Sequence, residues 1–255
     1  GDVYKRQIST WVMNDLRLFF CLSLGLLTAI IVSLVTQYYT GAGRGPVKNI
    51  ADASKRGATI TVMTGFSYGL ESTALLVITV VVTALASYFL AGGGMIGLYG
   101  LVATGMGITA MKGIIMASDT FGPIVDNADG IVEMSGISDE VGGSIEVLDA
   151  VGNVTKAITK GYAMGCALLT SLVLLFTYVY GAGLTSINLT KVPVIAGVFI
   201  GGMLPFLFSA LAIRAVGKAS SQMVEEVRRQ FKEIPGLLEG KAKPDYSTCV
   251  DISTK

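Results

Sequence analysis

Five apolar runs, each long enough to cross a bilayer, constrain this chain more than anything else in it. They cover approximately 18–39, 60–90, 95–116, 158–180 and 193–213. A span needs about 20 apolar residues. Lipid offers no partner for backbone polar groups, so runs of this kind must be helices. The second run exceeds the requirement, which implies tilt or a first turn outside the hydrocarbon. The expected fold class is therefore all-α and integral to the membrane, with five transmembrane helices. No internal repeat is evident.

Composition supports this reading and excludes others. Apolar residues make up 52% of the chain and charged residues only 15%, against about 25% charged in soluble domains. A net charge of +1 leaves no basic surplus for nucleic acid. The chain has no His, so a bound metal should be a hard cation held by oxygen. The three cysteines, Cys21, Cys166 and Cys249, have no metal-ligand spacing and read as free thiols. There is no signal-peptide pattern at the start.

The connecting segments differ in charge. Gly41–Thr59 carries Arg44, Lys48, Lys55 and Arg56, and Arg214–Lys255 carries eight Lys or Arg. Ala91–Gly94 carries no charge, and Gly181–Val192 only Lys191. The positive-inside rule puts the first, third and fifth connecting regions in the cytoplasm. Residues 217–240 have a helical pattern that continues the fifth span and ends at Pro235-Gly236. Residues 117–157 read as a long acidic loop, and 241–255 as a loop.

Polar chemistry concentrates at 119–160. Asp149, Asn153, Lys156 and Lys160 follow helical spacing and fall on one face. Lys160 already lies in an apolar run, where a central charge costs roughly 2.5–3.5 kcal/mol. Two readings stand: snorkelling lysines at a boundary, or two cations and an amide facing an anion. Asp119 and Asp126 are two helical turns apart, with Gly122-Pro123 between them and Asn127, Asp129 and Glu133 after. This is either a solvated acidic loop or a set of carboxylates gathered round Mg²⁺, which takes a few carboxylates plus phosphate oxygens. Glu71 in the second span is either a functional acid or a structural one bonded to Ser72 or Thr73. Lys112 is placed to snorkel or to pair with an acid. Among the small residues, Gly105, Gly107, Gly201 and Gly202 suit close helix packing. An ion transporter that hydrolyses nothing would also use such acids and lysines.

The segments Asp-Thr-Phe-Gly-Pro-Ile-Val-Asp-Asn-Ala (119–128), Leu-Asp-Ala-Val-Gly-Asn (148–153) and Lys-Gly-Tyr-Ala-Met-Gly (160–165) closely resemble the membrane-bound, ion-pumping pyrophosphatases. Gly-Leu-Glu-Ser-Thr-Ala-Leu (69–75) and Tyr-Ser-Thr-Cys-Val-Asp-Ile-Ser-Thr (246–254) match the same family. The resemblance covers residues 8–255 in order. It implies a homodimer of bundles of roughly sixteen helices, all of them helices for the backbone reason given above. It also implies Mg²⁺-dependent hydrolysis of pyrophosphate at a cytoplasmic funnel in a bacterial or archaeal cell membrane, coupled to ion transport. On this resemblance Asp126 is a Mg²⁺ ligand and Asp119 a weaker candidate, while Asn153 and Lys160 contact the metal-pyrophosphate. Lys156 and Thr159 resemble the signature of the potassium-independent branch, in which the lysine ammonium replaces a bound K⁺. That branch is associated with proton pumping.

Three positions depart from the family pattern: Asp129, Val154 and Cys166 stand where Gly, Thr and Ser are usual. The family's other acidic motifs are missing, so this segment alone is expected to be inactive. Residues 1–7 resemble the translation of a transposase sequencing adapter and are read as non-native. Residues 8–255 are read as part of a single transmembrane domain, an internal fragment.

Overall fold

A computed structural model describes residues 15–135 and 138–254; residues 1–7 lie outside these. The described residues form helices and no strand. Five helical stretches are long and apolar enough to cross a membrane: Leu16–Ser54, Ala58–Ala91, Gly94–Ser135, Gly143–Gly181 and Val192–Glu233. Each contains one of the five runs expected from sequence. The chain divides into two compact units, Gly1–Gly183 and Leu184–Lys255.

In the first unit, α1 (Leu16–Thr40) packs against α3 (Ala58–Ala91), α4 (Gly94–Thr109) and α6 (Ser138–Gly181), and α5 (Lys112–Ser135) lies along α6. Asp15 caps α1, accepting from the Arg17 amide at 2.9 Å, which satisfies one orphan N–H of the first turn. The α1–α4 crossing is closed by two glycines. A Cβ on Gly25 would lie 2.1 Å from the Thr104 carbonyl oxygen, and one on Gly107 would lie 2.0 Å from that of Leu22. Side chains cannot enter there, so backbones meet, as small residues allow in lipid. Gly107 was expected to pack closely; Gly25 was not singled out.

Around this crossing sit buried hydroxyls. Thr28 and Thr83 join α1 to α3 at 2.8 Å, Ser87 bonds Thr104, and Thr104 also donates to the Cys21 carbonyl at 3.1 Å. Ala29, Val80, Ile108, Ile115, Tyr162 and Leu169 form the apolar core beside them. The three cysteines are free.

Several segments expected to be loops are helical. Within 41–59, α2 (Gly45–Ser54) starts with Pro46 in its first turn, where a missing N–H costs nothing. The acidic stretch 117–157 is not a long loop: α5 continues to Ser135, and α6 begins at Ser138. Hydropathy marks only the part of a helix that lipid covers, and both helices extend past it. Pro123 lies inside α5 without ending it, and the Asn127 amide donates to the Pro123 carbonyl at 2.7 Å.

The third span is interrupted. A turn at 110–111 separates α4 from α5, leaving the Ile108 carbonyl without its usual helical donor. The Tyr162 hydroxyl on α6, only 2% exposed, donates to that carbonyl at 2.6 Å. Irregular backbone at this depth is tolerated where protein re-satisfies it.

Glu71 does not bond Ser72 or Thr73. Those hydroxyls donate to the carbonyls of Gly69 and Leu70 on their own helix, while the Tyr39 hydroxyl of α1 donates to Glu71 Oε1 at 3.0 Å. Residues one and two along a helix point away from each other. Lys112 is exposed and has no ion pair among the described residues.

In the second unit, α7 (Val192–Glu233) carries the fifth span and the amphipathic extension as one helix, as expected. Residues 241–255 are not simply a loop, because α8 (Tyr246–Thr254) forms there. Asp245 starts it, accepting from the Thr248 amide at 3.1 Å and the Thr248 hydroxyl at 2.6 Å. These bonds hold the Asp245 carboxyl below its ordinary range. Gln230 of α7 fastens this turn: its Oε1 accepts from the Asp245 amide at 2.8 Å and its Nε2 donates to the Asp245 carbonyl at 2.9 Å.

Candidate functional site

The face of α6 expected from spacing is built as one connected polar chain. Asn153 Nδ2 donates to Asp149 Oδ2 at 2.8 Å. Lys156 Nζ donates to Asn153 Oδ1 at 3.2 Å and forms an ion pair with Asp126 Oδ2 on α5. Asp126 lies ten residues beyond the apolar run ending at Met116, about 15 Å further along a helix, so the pair sits past the lipid-covered part. The Lys156 ammonium holds the Asp126 carboxyl below the ordinary carboxylate range, with a smaller contribution from Asp149.

The ion pair depends on how closely α5 and α6 approach. Lys156 has to lie across α5 to reach Asp126, and it does so over Gly122. A Cβ on Gly122 would fall 2.4 Å from Lys156 Cε and 2.8 Å from the Gly152 carbonyl oxygen. Gly152 faces Gly122 in return, 3.0 Å from its Cα by the same measure. One turn along, the buried Thr159 hydroxyl donates to the Ile115 carbonyl of α5 at 3.3 Å and to the Thr155 carbonyl at 3.1 Å. Thr159 thus ties the two helices together beneath Lys156. The lysine side chain is 20% exposed and the Asp126 side chain 57%, so the carboxylate opens outward while the cation is sheltered.

Asp126, Asn153 and Lys156 therefore meet; Asp119 and Lys160 do not join them. Asp119 is half-buried on α5 and Lys160 exposed on α6, and neither has a hydrogen bond or ion pair among the described residues. Nor do the described residues hold a cluster of three or more Asp, Glu, Cys or His able to bind a metal. The donors present still fit a hard divalent cation. They are carboxylate and amide oxygens, and Asp149 Oδ1 is buried with no hydrogen-bond partner. A buried acceptor in that state costs free energy until a cation or donor reaches it. Sequence reading placed Asp149 on this face but gave it no role. It missed Gly122 and Gly152, whose signal is a glycine on each of two helices that must meet.

A family model described as Inorganic H+ pyrophosphatase matches residues 3–255. The chain is 44% identical over 97% of its length to a "Putative K(+)-stimulated pyrophosphate-energized sodium pump" of Clostridium tetani. It is 43% identical over 97% of its length to a "K(+)-insensitive pyrophosphate-energized proton pump" of Methanosarcina mazei. A protein of that same name from Caldanaerobacter subterraneus is 45% identical over 95% of the chain. The chain spans 37%, 38% and 36% of these relatives' lengths. The family match over nearly the whole chain, on an all-helical membrane fold, places it in the Inorganic H+ pyrophosphatase family.

Proposed function

We propose that this chain is one wall of the hydrolytic site of a potassium-independent, proton-translocating membrane pyrophosphatase. The observation that carries the reading is the Lys156 ammonium between the Asp126 carboxylate and the Asn153 carbonyl. A cation in that position supplies without K⁺ the charge that a bound K⁺ would supply. Overall identity does not separate the branches, because sodium-pump and proton-pump relatives match almost equally. The Lys156–Thr159 pair carries the distinction instead.

Asp126 would contribute to holding Mg²⁺, with Asp119 a weaker candidate, and Asn153 and Lys160 would face the metal-pyrophosphate. When bound, Mg²⁺ would neutralise phosphoryl oxygens and stabilise charge developing on the leaving phosphate. Lys156 keeps Asp126 ionised and fixed in direction. Lys160, free of any partner among the described residues, is available to an anion. The remaining acids would come from other parts of the full-length protein, a homodimer in the membrane with its site on the cytoplasmic face. Residues 8–255 would belong to that single domain.

The test is phosphate release and lumen acidification by the full-length protein in liposomes given pyrophosphate and Mg²⁺, with and without K⁺ and Na⁺. Hydrolysis and acidification independent of K⁺ are expected. Hydrolysis that requires K⁺ and moves Na⁺ would favour the alternative suggested by the Clostridium tetani relative. No hydrolysis at all would leave a transporter that cleaves nothing.

A further inference from the structure

We infer that Asp149 is a positioning residue: it fixes the Asn153 amide so that its carbonyl oxygen, not its NH₂, faces the cation side of the site. The inference rests on the pyrophosphatase reading above and concerns a residue to which that reading assigns no part.

An amide side chain has a donor end and an acceptor end, and either could turn toward Asp126. Here two neighbours on the same helix decide. Asp149, four residues before Asn153, presents a carboxylate oxygen that can only accept, and it takes Nδ2 at 2.8 Å. Lys156, three residues after, presents an ammonium that can only donate, and it takes Oδ1 at 3.2 Å. Turning the amide over would set NH₂ against the ammonium and oxygen against the carboxylate. Asn153 therefore has one orientation, and in it the oxygen points where Lys156 and Asp126 meet. An amide oxygen is a ligand for a hard cation; an NH₂ there would repel one. Among the described residues Asp149 forms no ion pair, although it lies beside the Asp126 carboxyl. Its other oxygen, Oδ1, is buried and has no hydrogen-bond partner, so the residue is not consumed in a structural ion pair.

The full-length protein, solubilised in detergent, tests this with Mg²⁺ alone and no pyrophosphate. The readout is the rise in melting temperature as Mg²⁺ is titrated. Asp149→Asn offers either an amide donor or an acceptor to Asn153 and leaves Lys156 alone to hold the orientation. The expected result is a half-saturating Mg²⁺ concentration raised roughly tenfold, as for loss of a group that orients a metal ligand, with the metal-free melting temperature unchanged. The exchanged pair, Asp149→Asn with Asn153→Asp, restores an acceptor on the cation side and a donor–acceptor bond behind it. It should return half-saturation to within about threefold of wild type, on the same ligand-orienting argument.

A wild-type half-saturation in the single variant would overturn the inference. So would failure of the exchanged pair to recover, which would make Asp149 a direct ligand or a structural acid, and so would a wild-type protein that Mg²⁺ does not stabilise. Failure of the pyrophosphatase reading is distinguishable: the Mg²⁺ titrations would behave as expected while pyrophosphate went uncleaved.

Discussion

Two helix crossings in the first unit are built on the same device and used for opposite ends. At α1–α4, Gly25 and Gly107 bring backbones together and the gap is closed by buried hydroxyls and apolar side chains. At α5–α6, Gly122 and Gly152 do the same, but a lysine stem lies in the gap and carries its ammonium to a carboxylate on the far helix. Facing glycines alone therefore say that two helices touch. What lies over them says whether the contact is there for packing or for chemistry.

Substitutions should separate the two crossings. The largest effect belongs to the first. Gly107→Leu drives a side chain into the Leu22 backbone; overpacking of this kind costs about 1–3 kcal/mol or more, and here the neighbour is backbone that cannot turn aside. Recovery of monodisperse, folded full-length protein from the membrane should be largely lost. At the second crossing, Asp126→Ala should leave folded yield intact and lower pyrophosphate hydrolysis by about 10²–10³, the scale for removing a preorganised electrostatic group. If yield falls as it does for Gly107→Leu, the contrast between the crossings collapses.

Lys156→Ala should be milder. Activity without K⁺ should drop roughly tenfold and return when K⁺ is added, since the ion replaces a charge of equal sign. Gly122→Ala should resemble a weakened form of this, because its Cβ displaces the lysine stem. Added to Lys156→Ala, the same change should have less effect than it has alone. Equal effects in both backgrounds would mean that Gly122 serves packing only, as Gly25 does.

The smallest effect lies away from both crossings. Asp245→Ala removes the cap of α8, and amide exchange in 246–254 should quicken about fivefold, as for loss of an N-cap. The Asp245 carboxyl is held below its ordinary range, so the cap contributes at pH values above the unfolded carboxylate's titration, about pH 4. It is lost as pH falls through the lower folded value. Exchange in wild-type protein should therefore approach that of the variant only at strongly acid pH.

The spans were legible because lipid imposes a length and a composition that no side-chain detail alters. The helices beyond the lipid were harder. In 117–157 the acids, glycines and Pro123 resemble a loop by composition, yet the stretch keeps helical spacing, and Asp149, Asn153 and Lys156 were rightly put on one face. Their partner on the next helix was not derivable from spacing; Asp126 meets Lys156 only because Gly122 and Gly152 let α5 and α6 touch. Glu71 illustrates the same limit. Its neighbours in sequence turned away from it, and its donor, Tyr39, comes from another helix. Asp119 and Lys160 were named from helical spacing and again on resemblance, and this chain gives neither a partner among its described residues.

The buried hydroxyls bear on how such a chain enters the bilayer. Thr28 donates to its own helix, at the Leu24 carbonyl, besides meeting Thr83. Thr104 donates to the Gly100 carbonyl besides the Cys21 carbonyl. These two hydroxyls thus each have a partner that travels with them, whereas Thr83 and Ser87 of α3 meet hydroxyls on neighbouring helices. Released into lipid before its neighbour, α1 or α4 therefore carries neither of these donors stranded. Later spans can then dock by exchanging or sharing these bonds rather than by burying new polar groups. Docking to α1 and α4 is what gives the Thr83 and Ser87 hydroxyls of α3 their partners.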